Sequence, residues 1–131
     1  MPSARGTFEV LSGGEETIGE PASGVRLTRV TGTQRFTGDL QGTGAVDWLM
    51  SYSSEGRARF VGFQRFEGAL GGHAGSFVAE SVGDHDGTRS TGRWSVIVGT
   101  GTGELEGLTG EGAFDAPGGP RVAYSLSYRF A

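Results

Sequence analysis

The sequence predicts an all-β protein, a closed antiparallel β-barrel of about eight strands formed by one domain over residues 1–131. Apolar and polar residues alternate through most of the chain, which is the period of a half-buried strand. The 26 glycines interrupt nearly every ten-residue window, and interior glycines disfavour helices. The aromatic residues, which make up 10% of the chain, lie among these glycines and distinguish it from a disordered linker.

Nine segments carry the alternation or the strand composition. They are residues 5–11, 25–31, 34–42, 45–53, 57–68, 73–82, 91–99, 102–115 and 121–130. Turn-forming residues separate several of them, at 12–16, 20–24, 53–56, 83–87 and 116–120. Connections this short predict antiparallel neighbours, and closure into a barrel removes the exposed edges of an open sheet.

The element G-x-L-x-G occurs three times, beginning at Gly38, Gly68 and Gly103. In each copy the glycines and the leucine fall on one strand face, where glycine permits sharp coiling or the close approach of a ring. The third copy lies in the glycine-rich segment 99–114, GTGTGELEGLTGEGAF. This segment is not a phosphate-binding loop, because the chain has no lysine and no helical pattern follows.

Composition excludes several classes of function. The formal net charge is −4 and no basic residues cluster, so we expect no nucleic-acid partner. No apolar segment is long enough for a membrane helix, and the first residues lack the apolar core of a signal peptide, so we expect no membrane partner and a cytoplasmic location. Without cysteine there is no thiolate site. The turn Asp84-His85-Asp86 is expected to be solvated, and we predict no metal and no cofactor.

The candidate binding residues are even-numbered side chains on strand faces rich in aromatic residues. They are Trp48, Tyr52, Phe60, Gln64, Phe66, Trp94, Tyr124 and Tyr128. Core packing alone explains any one of them, but the tyrosines and tryptophans need polar partners when buried.

Carboxylates supply the remaining candidates. Glu80 shares the parity of apolar neighbours, and a carboxylate inside an apolar lumen has the raised pKa of a general acid or base, so Glu80 is the candidate catalytic residue. The Glu15-Glu16 pair is expected to be solvated in a turn. Glu104 and Glu106 are expected to face water if Leu105 packs inward.

Two stretches carry a family resemblance. Gly101 to Gly110 resembles the G-[TA]-G-x-[FL]-x-G-x-x-G signature of allene oxide cyclases and plant dirigent proteins, and Phe36-Thr37-Gly38-Asp39-Leu40 resembles an element of the same superfamily. The chain is most similar to a bacterial family of unknown function within it. The residues that carry this likeness are Phe66 to Gly72, Gly75-Ser76-Phe77, Trp94 and Gly99 to Leu105, while Glu80 stands where glutamine is expected.

The resemblance implies an eight-stranded barrel that often assembles into dimers or trimers and confines a ligand in an apolar lumen. We therefore expect a small apolar or amphipathic organic molecule as partner, and a homo-oligomer. The leading functional prediction is a cofactor-independent cyclase or isomerase of secondary metabolism that acts by orienting its substrate. The alternatives are a non-catalytic carrier or sensor, and a structural barrel without a ligand.

Overall fold

The computed structural model of the protein describes residues 2–18, 26–53 and 56–131, and within these ranges it contains strands and no helix. The strands are β1 (Ser3–Thr17), β2 (Arg26–Gly38), β3 (Leu40–Tyr52), β4 (Ala58–Leu70), β5 (His73–His85), β6 (Ser90–Val96), β7 (Thr102–Gly103), β8 (Leu108–Ala116) and β9 (Arg121–Phe130).

Every ladder is antiparallel, and together the ladders close a barrel in the order β1-β2-β3-β4-β5-β6-β8-β9, with β9 returning to β1. The short β7 pairs with β5 at Gly75 and Ser76, beyond the part of β5 that pairs with β6. The prediction of a closed eight-stranded antiparallel barrel is confirmed.

One predicted break between strands and one predicted turn are interior strand segments. β2 continues through 31–33 and turns into β3 at Gly38-Asp39, so the predicted strands 25–31 and 34–42 do not have the predicted bounds. Gly32 pairs with Gly13 on one side and Val46 on the other, which holds this stretch in the sheet. β1 runs through the predicted turn 12–16, with a bulge between Val10 and Ser12. The predicted turn 20–24, and residues 54 and 55 of the turn 53–56, lie outside the described residues.

The barrel interior is filled by aromatic rings that lie over glycines of the neighbouring strand. In four cross-strand pairs the glycine faces a ring directly: Gly6 and Tyr124, Gly62 and Trp48, Gly83 and Phe60, Gly92 and Phe114. A Cβ atom built on Gly83 would lie 2.5 Å from Cζ of Phe60. Such pairs shield the glycine backbone and let large side chains share a narrow lumen.

In β5 the residues that face the lumen have odd numbers, whereas in β4 they have even numbers. Phe66 pairs with Phe77 across the β4–β5 hairpin, so odd-numbered residues of β5 face the lumen and even-numbered ones face outward. Parity returns to even in β6, where Ala79 pairs with Val96. Glu80 is therefore exposed on the outer surface, and the expectation that its carboxylate is enclosed in an apolar lumen is wrong.

One end of the barrel, the closed end, is sealed by four leucines. Leu40, Leu70, Leu105 and Leu108 are at most 1% exposed there. The glycine-rich segment supplies Leu105 and Leu108, and only its last part from Leu108 is a long strand. Glu104 anchors it to β5, because its Oε1 accepts a hydrogen bond from the backbone N–H of Ala74 at 2.8 Å. Glu104 and Glu106 are exposed, as predicted from the inward packing of Leu105.

Substituting Gly92 by alanine is expected to destabilise the fold. The new Cβ would overlap the Phe114 ring, which is confined by other rings, and overpacking of this kind lowers the free energy of unfolding by about 1–3 kcal/mol. The matched control is Gly14→Ala, because a Cβ at Gly14 meets nothing within 4 Å. Urea unfolding of both variants measures the difference; equal stability of the two would contradict ring-on-glycine packing as a constraint.

Candidate functional site

A cavity of about 450 Å³ lies at the end of the barrel opposite the leucine seal, which we call the open end. Its lining is mostly apolar and aromatic, and the polar side chains are Ser12, Glu15, Thr31, Gln34 and Ser90. The apolar side chains are Phe8, Val10, Leu11, Val30, Val46, Trp48, Phe114 and Val122.

The cavity exists because β1 extends past its neighbour β9. The two strands pair only as far as Glu9 and Arg121, and the backbone N–H of Val10 donates to Pro120. Beyond that point β2 is the only strand of the described residues that pairs with β1. A further strand paired with this edge would close the cavity. Since β9 does not extend that far, the cavity is open, and Ser12 to Gly14 form one of its walls.

The middle of the lumen is packed. The space enclosed by Phe36, Gln64, Phe66, Phe77, Ala79 and Trp94 measures only about 10 Å³. Buried water alone requires at least about 10–15 Å³, so this space does not hold an organic ligand. At the open end, in contrast, the rings leave a ligand-sized volume.

The predicted binding residues all occupy inward positions, but they divide among three regions. Trp48 lines the open-end cavity, and its ring stacks on Phe60 at 4.9 Å between centroids. Gln64, Phe66 and Trp94 belong to the packed centre. Tyr52 is half-buried at the end of β3, where it hydrogen-bonds Glu15.

Tyr124 and Tyr128 lie toward the closed end. The Tyr124 hydroxyl donates to the carbonyl of Thr37 at 2.8 Å and accepts from the N–H of Leu40 at 2.9 Å. Tyr128 packs edge-on against Phe130. Tyr124 therefore ties β9 to the β2–β3 turn, a structural contact remote from the cavity.

Glu15 reaches the cavity because of the bulge in β1. Beyond the bulge the parity of β1 shifts by one residue, so Glu15 pairs with Val30 and shares its inward face. Its Oε2 accepts hydrogen bonds from the hydroxyl of Tyr52 at 2.6 Å and from that of Thr28 at 2.7 Å. The expectation that Glu15 lies in a turn is wrong, because Glu15 belongs to β1. The expectation that it is solvated agrees with its exposed position, and its carboxylate is in addition held by two side chains.

These contacts shift two pKa values in opposite directions. Burial acts to raise the pKa of Glu15, but the hydrogen bonds from Tyr52 and Thr28 and the charges of Arg26 and His85 outweigh it, and the pKa lies below its ordinary value. Burial, together with the hydrogen bond to the carboxylate, raises the pKa of Tyr52 to about 12. At neutral pH the pair is therefore an anion held by a neutral phenol.

A second polar contact lies on the other side of the cavity. Ser90 lines the cavity, and its Oγ lies 2.8 Å from Nδ1 of His85, its partner across the β5–β6 hairpin. A serine hydroxyl next to an imidazole supplies two of the three groups of a nucleophilic triad. No described carboxylate, however, hydrogen-bonds the other nitrogen of the His85 ring. We therefore describe the pair as a hydrogen-bonding contact at the cavity wall.

Two further observations concern groups that could hold a ligand or a metal. The indole N–H of Trp48 is buried without an acceptor in the part of the chain that the structure describes. Within residues 2–18, 26–53 and 56–131, no three His, Asp or Glu side chains converge as they would around a metal ion.

In the same ranges, no helix has the length and apolar character needed to cross a bilayer.

Comparison with known proteins places the chain in a family. The sequence model of DUF3224, a protein of unknown function, matches residues 4–128. The chain belongs to the DUF3224 family. A crystal structure of a DUF3224 protein of unknown function from Shewanella oneidensis MR-1 is 27% identical to it, covers 100% of this chain and 98% of that chain, and superposes with a TM-score of 0.80. No curated protein matches the chain.

The DUF3224 match confirms the predicted membership in a family of unknown function. The broader resemblance to allene oxide cyclases and dirigent proteins rests on the sequence elements alone. Sequence reasoning missed Glu15, because Ser12-Gly13-Gly14 was interpreted as a turn. The available signal was the continued strand composition on both sides of Gly13-Gly14, which is also compatible with a bulged strand.

Replacing Tyr52 by phenylalanine is expected to raise the pKa of Glu15 toward its ordinary value. The substitution removes the 2.6 Å hydrogen bond that stabilises the ionised carboxylate, so protonation becomes easier. The measurement is an NMR titration of the Glu15 carboxyl carbon in both proteins. The matched control is Tyr128→Phe, which leaves the titration unchanged; an unaltered Glu15 midpoint in Tyr52→Phe would show that the hydrogen bond does not hold the carboxylate.

Proposed function

We propose that the barrel binds a small apolar or amphipathic organic molecule in the open-end cavity. The observation that carries this proposal is the cavity of about 450 Å³ beside an otherwise packed lumen. Ligand sites commonly measure about 300–1,000 Å³ and combine apolar walls with a few polar groups. The walls formed by Trp48, Phe114 and Val30, with Glu15 and Ser90 among the polar groups, fit that description.

The function that we favour is a cyclase or isomerase of secondary metabolism that works by confining its substrate. Rigid walls support this: the Trp48 ring is stacked between Phe60 and Phe114, at 4.9 and 5.7 Å between centroids. A flexible substrate held against such walls loses unproductive conformations before it reacts. The resemblance to allene oxide cyclases points to the same chemistry.

A non-catalytic carrier or sensor is the second candidate, and the position of the cavity favours it. The cavity lies at the barrel end and opens to solvent along β1, so a ligand could enter and leave without passing the packed centre. A native mass spectrum of freshly purified protein tests for a retained molecule. Recovery of that molecule unchanged after prolonged incubation would support the carrier, and its conversion would support the enzyme.

Filling the cavity is expected to weaken binding strongly. Val30→Phe adds a ring to the wall, while the control Val98→Phe adds the same ring at an exposed position after β6 that does not line the cavity. With the neutral probe 1-naphthylmethanol, calorimetry should show binding at least about tenfold weaker for Val30→Phe and unchanged for Val98→Phe. Equal binding by both variants, or no binding by the unmodified protein, would refute the cavity as the site.

We also propose that the protein is a homo-oligomer that associates through the outer face of β3, β4 and β5. Leu49, Val61 and Val82 are cross-strand neighbours on this face, and Leu49 and the adjacent Phe63 are each 50% exposed. A groove of about 630 Å³ borders Phe63, with small side chains such as Ala45 along its floor.

The occupant that fits this face is a second copy of the chain. The patch and the groove lie side by side, so a two-fold axis can place the apolar patch of each copy over the groove of the other. The exposed side chains beside Phe63 carry both signs, Arg65 on β4 and Glu80 on β5, so such a pairing can bring acid opposite base. This arrangement gives Glu80 a role outside the lumen.

Phe63→Glu is expected to shift the assembly to monomer, because it places a charge in the centre of the apolar patch. Ala123→Glu is the control, since Ala123 is also exposed but lies on β9. Sedimentation velocity of both variants and of the unmodified protein measures the change. A monomeric unmodified protein, or an oligomer that Phe63→Glu leaves intact, would contradict this interface.

A further inference from the structure

One carboxylate of the cavity has a hydrogen-bonding arrangement that general apolar binding does not require. Both hydrogen bonds to Glu15 end on the same oxygen: Oε2 accepts from Tyr52 at 2.6 Å and from Thr28 at 2.7 Å. No described group hydrogen-bonds the other oxygen, Oε1. Glu15 itself lines the cavity. The carboxylate is thus fixed by one oxygen and retains a free acceptor at the edge of an apolar space.

The carboxylate also lacks an ion-pair partner among the described residues. The three ion pairs found there join Arg29 with Asp47, Arg59 with Asp84, and Arg89 with Asp115. Arg26 and His85 are close enough to influence Glu15 electrostatically, but neither is within 4.0 Å of it as an ion pair. The Arg26 guanidinium is instead positioned over the Tyr52 ring, 4.6 Å from its centroid.

The walls beside Glu15 suit the remainder of a cationic molecule. Aromatic rings attract organic cations through their negative faces, and Trp48 and Phe114 both line the cavity. A charge-assisted hydrogen bond from an ammonium group to a carboxylate is stronger than a bond between neutral groups. An ammonium head at Oε1 would therefore leave an apolar body in contact with the rings.

We propose that the open-end cavity selects amphipathic amines, molecules with an apolar body about the size of two fused rings and a protonated amino head, and that Glu15 determines this specificity. The inference rests on the proposed ligand-binding function and names its ligand class. Glu15 acts here as an anchor and not as a base. A base working near neutral pH needs a pKa near 7, and the hydrogen bonds to Glu15 lower its pKa instead.

Three probes with one body and different heads test the proposal. They are 1-naphthylmethylamine, which is a cation at pH 7, 1-naphthylmethanol, which is neutral, and 1-naphthoate, which is an anion. Calorimetry on the full chain should show the amine binding at least about tenfold more tightly than the alcohol, and the anion most weakly. Added salt should weaken the binding of the amine and leave that of the alcohol unchanged.

Substituting Glu15 should remove the preference for the amine over the alcohol, while both probes still bind. In Glu15→Gln the amine and the alcohol should bind within about twofold of each other, while the alcohol binds as it does to the unmodified protein. Glu16→Gln is the matched control, because Glu16 is the adjacent exposed carboxylate and does not line the cavity. It should preserve the full preference for the amine.

The outcomes separate this inference from the proposed function. If all three probes bind equally, or if Glu15→Gln retains the preference, the amine assignment is overturned while the cavity remains a binding site. If no probe binds to the unmodified protein, both proposals are overturned. Should Glu15→Gln fail to fold, the ranking of the probes on the unmodified protein and its salt dependence decide the question.

Discussion

Contact between aromatic rings and glycines of the adjacent strand is the interaction on which the rest of this structure depends. The lumen of an eight-stranded barrel is just wide enough for side chains to fill. Here it holds Phe8, Phe36, Phe66, Trp94 and Phe114, whose neighbouring centroids are 5.0–6.3 Å apart. Rings at this density need inward positions without side chains, and the glycine partners supply them. The inward glycines that face these rings are therefore a packing requirement.

The same requirement determines where a ligand can bind. Rings fill the centre and leucines seal the closed end, so the volume within the barrel lies where β1 extends beyond β9. Because β1 extends beyond its neighbour β9, it produces both the opening and the wall that carries Glu15. Because Trp48 and Phe114 belong to the cavity wall and to the packed rings alike, the rigidity of the core extends to the site.

Strand alternation was sufficient to predict the fold class and most of the inward residues, including all eight predicted aromatic and glutamine positions. Two features of the fold could not be predicted from strand alternation. A two-residue connection at Gly71-Gly72 reverses parity in β5, which moved Glu80 to the outer surface. The bulge near Leu11 shifts parity within β1, which brought Glu15 to the cavity. Both are changes in register, set by pairing between strands, and the order of residues along one strand does not encode them.

The length of β1 past β9 has a consequence for solubility. Among the described residues, β1 from Leu11 to Thr17 has a ladder on one side only, so its other edge offers backbone groups that an identical edge could pair with. If the β1 edges of two copies paired antiparallel, the Glu15-Glu16 pair of each copy would lie in the same short ladder as the carboxylates of the other copy. The bulge in β1 would also interrupt the hydrogen bonds between the two edges. Glu15, which lines the cavity, therefore also acts with Glu16 and the bulge against edge-to-edge pairing of two copies.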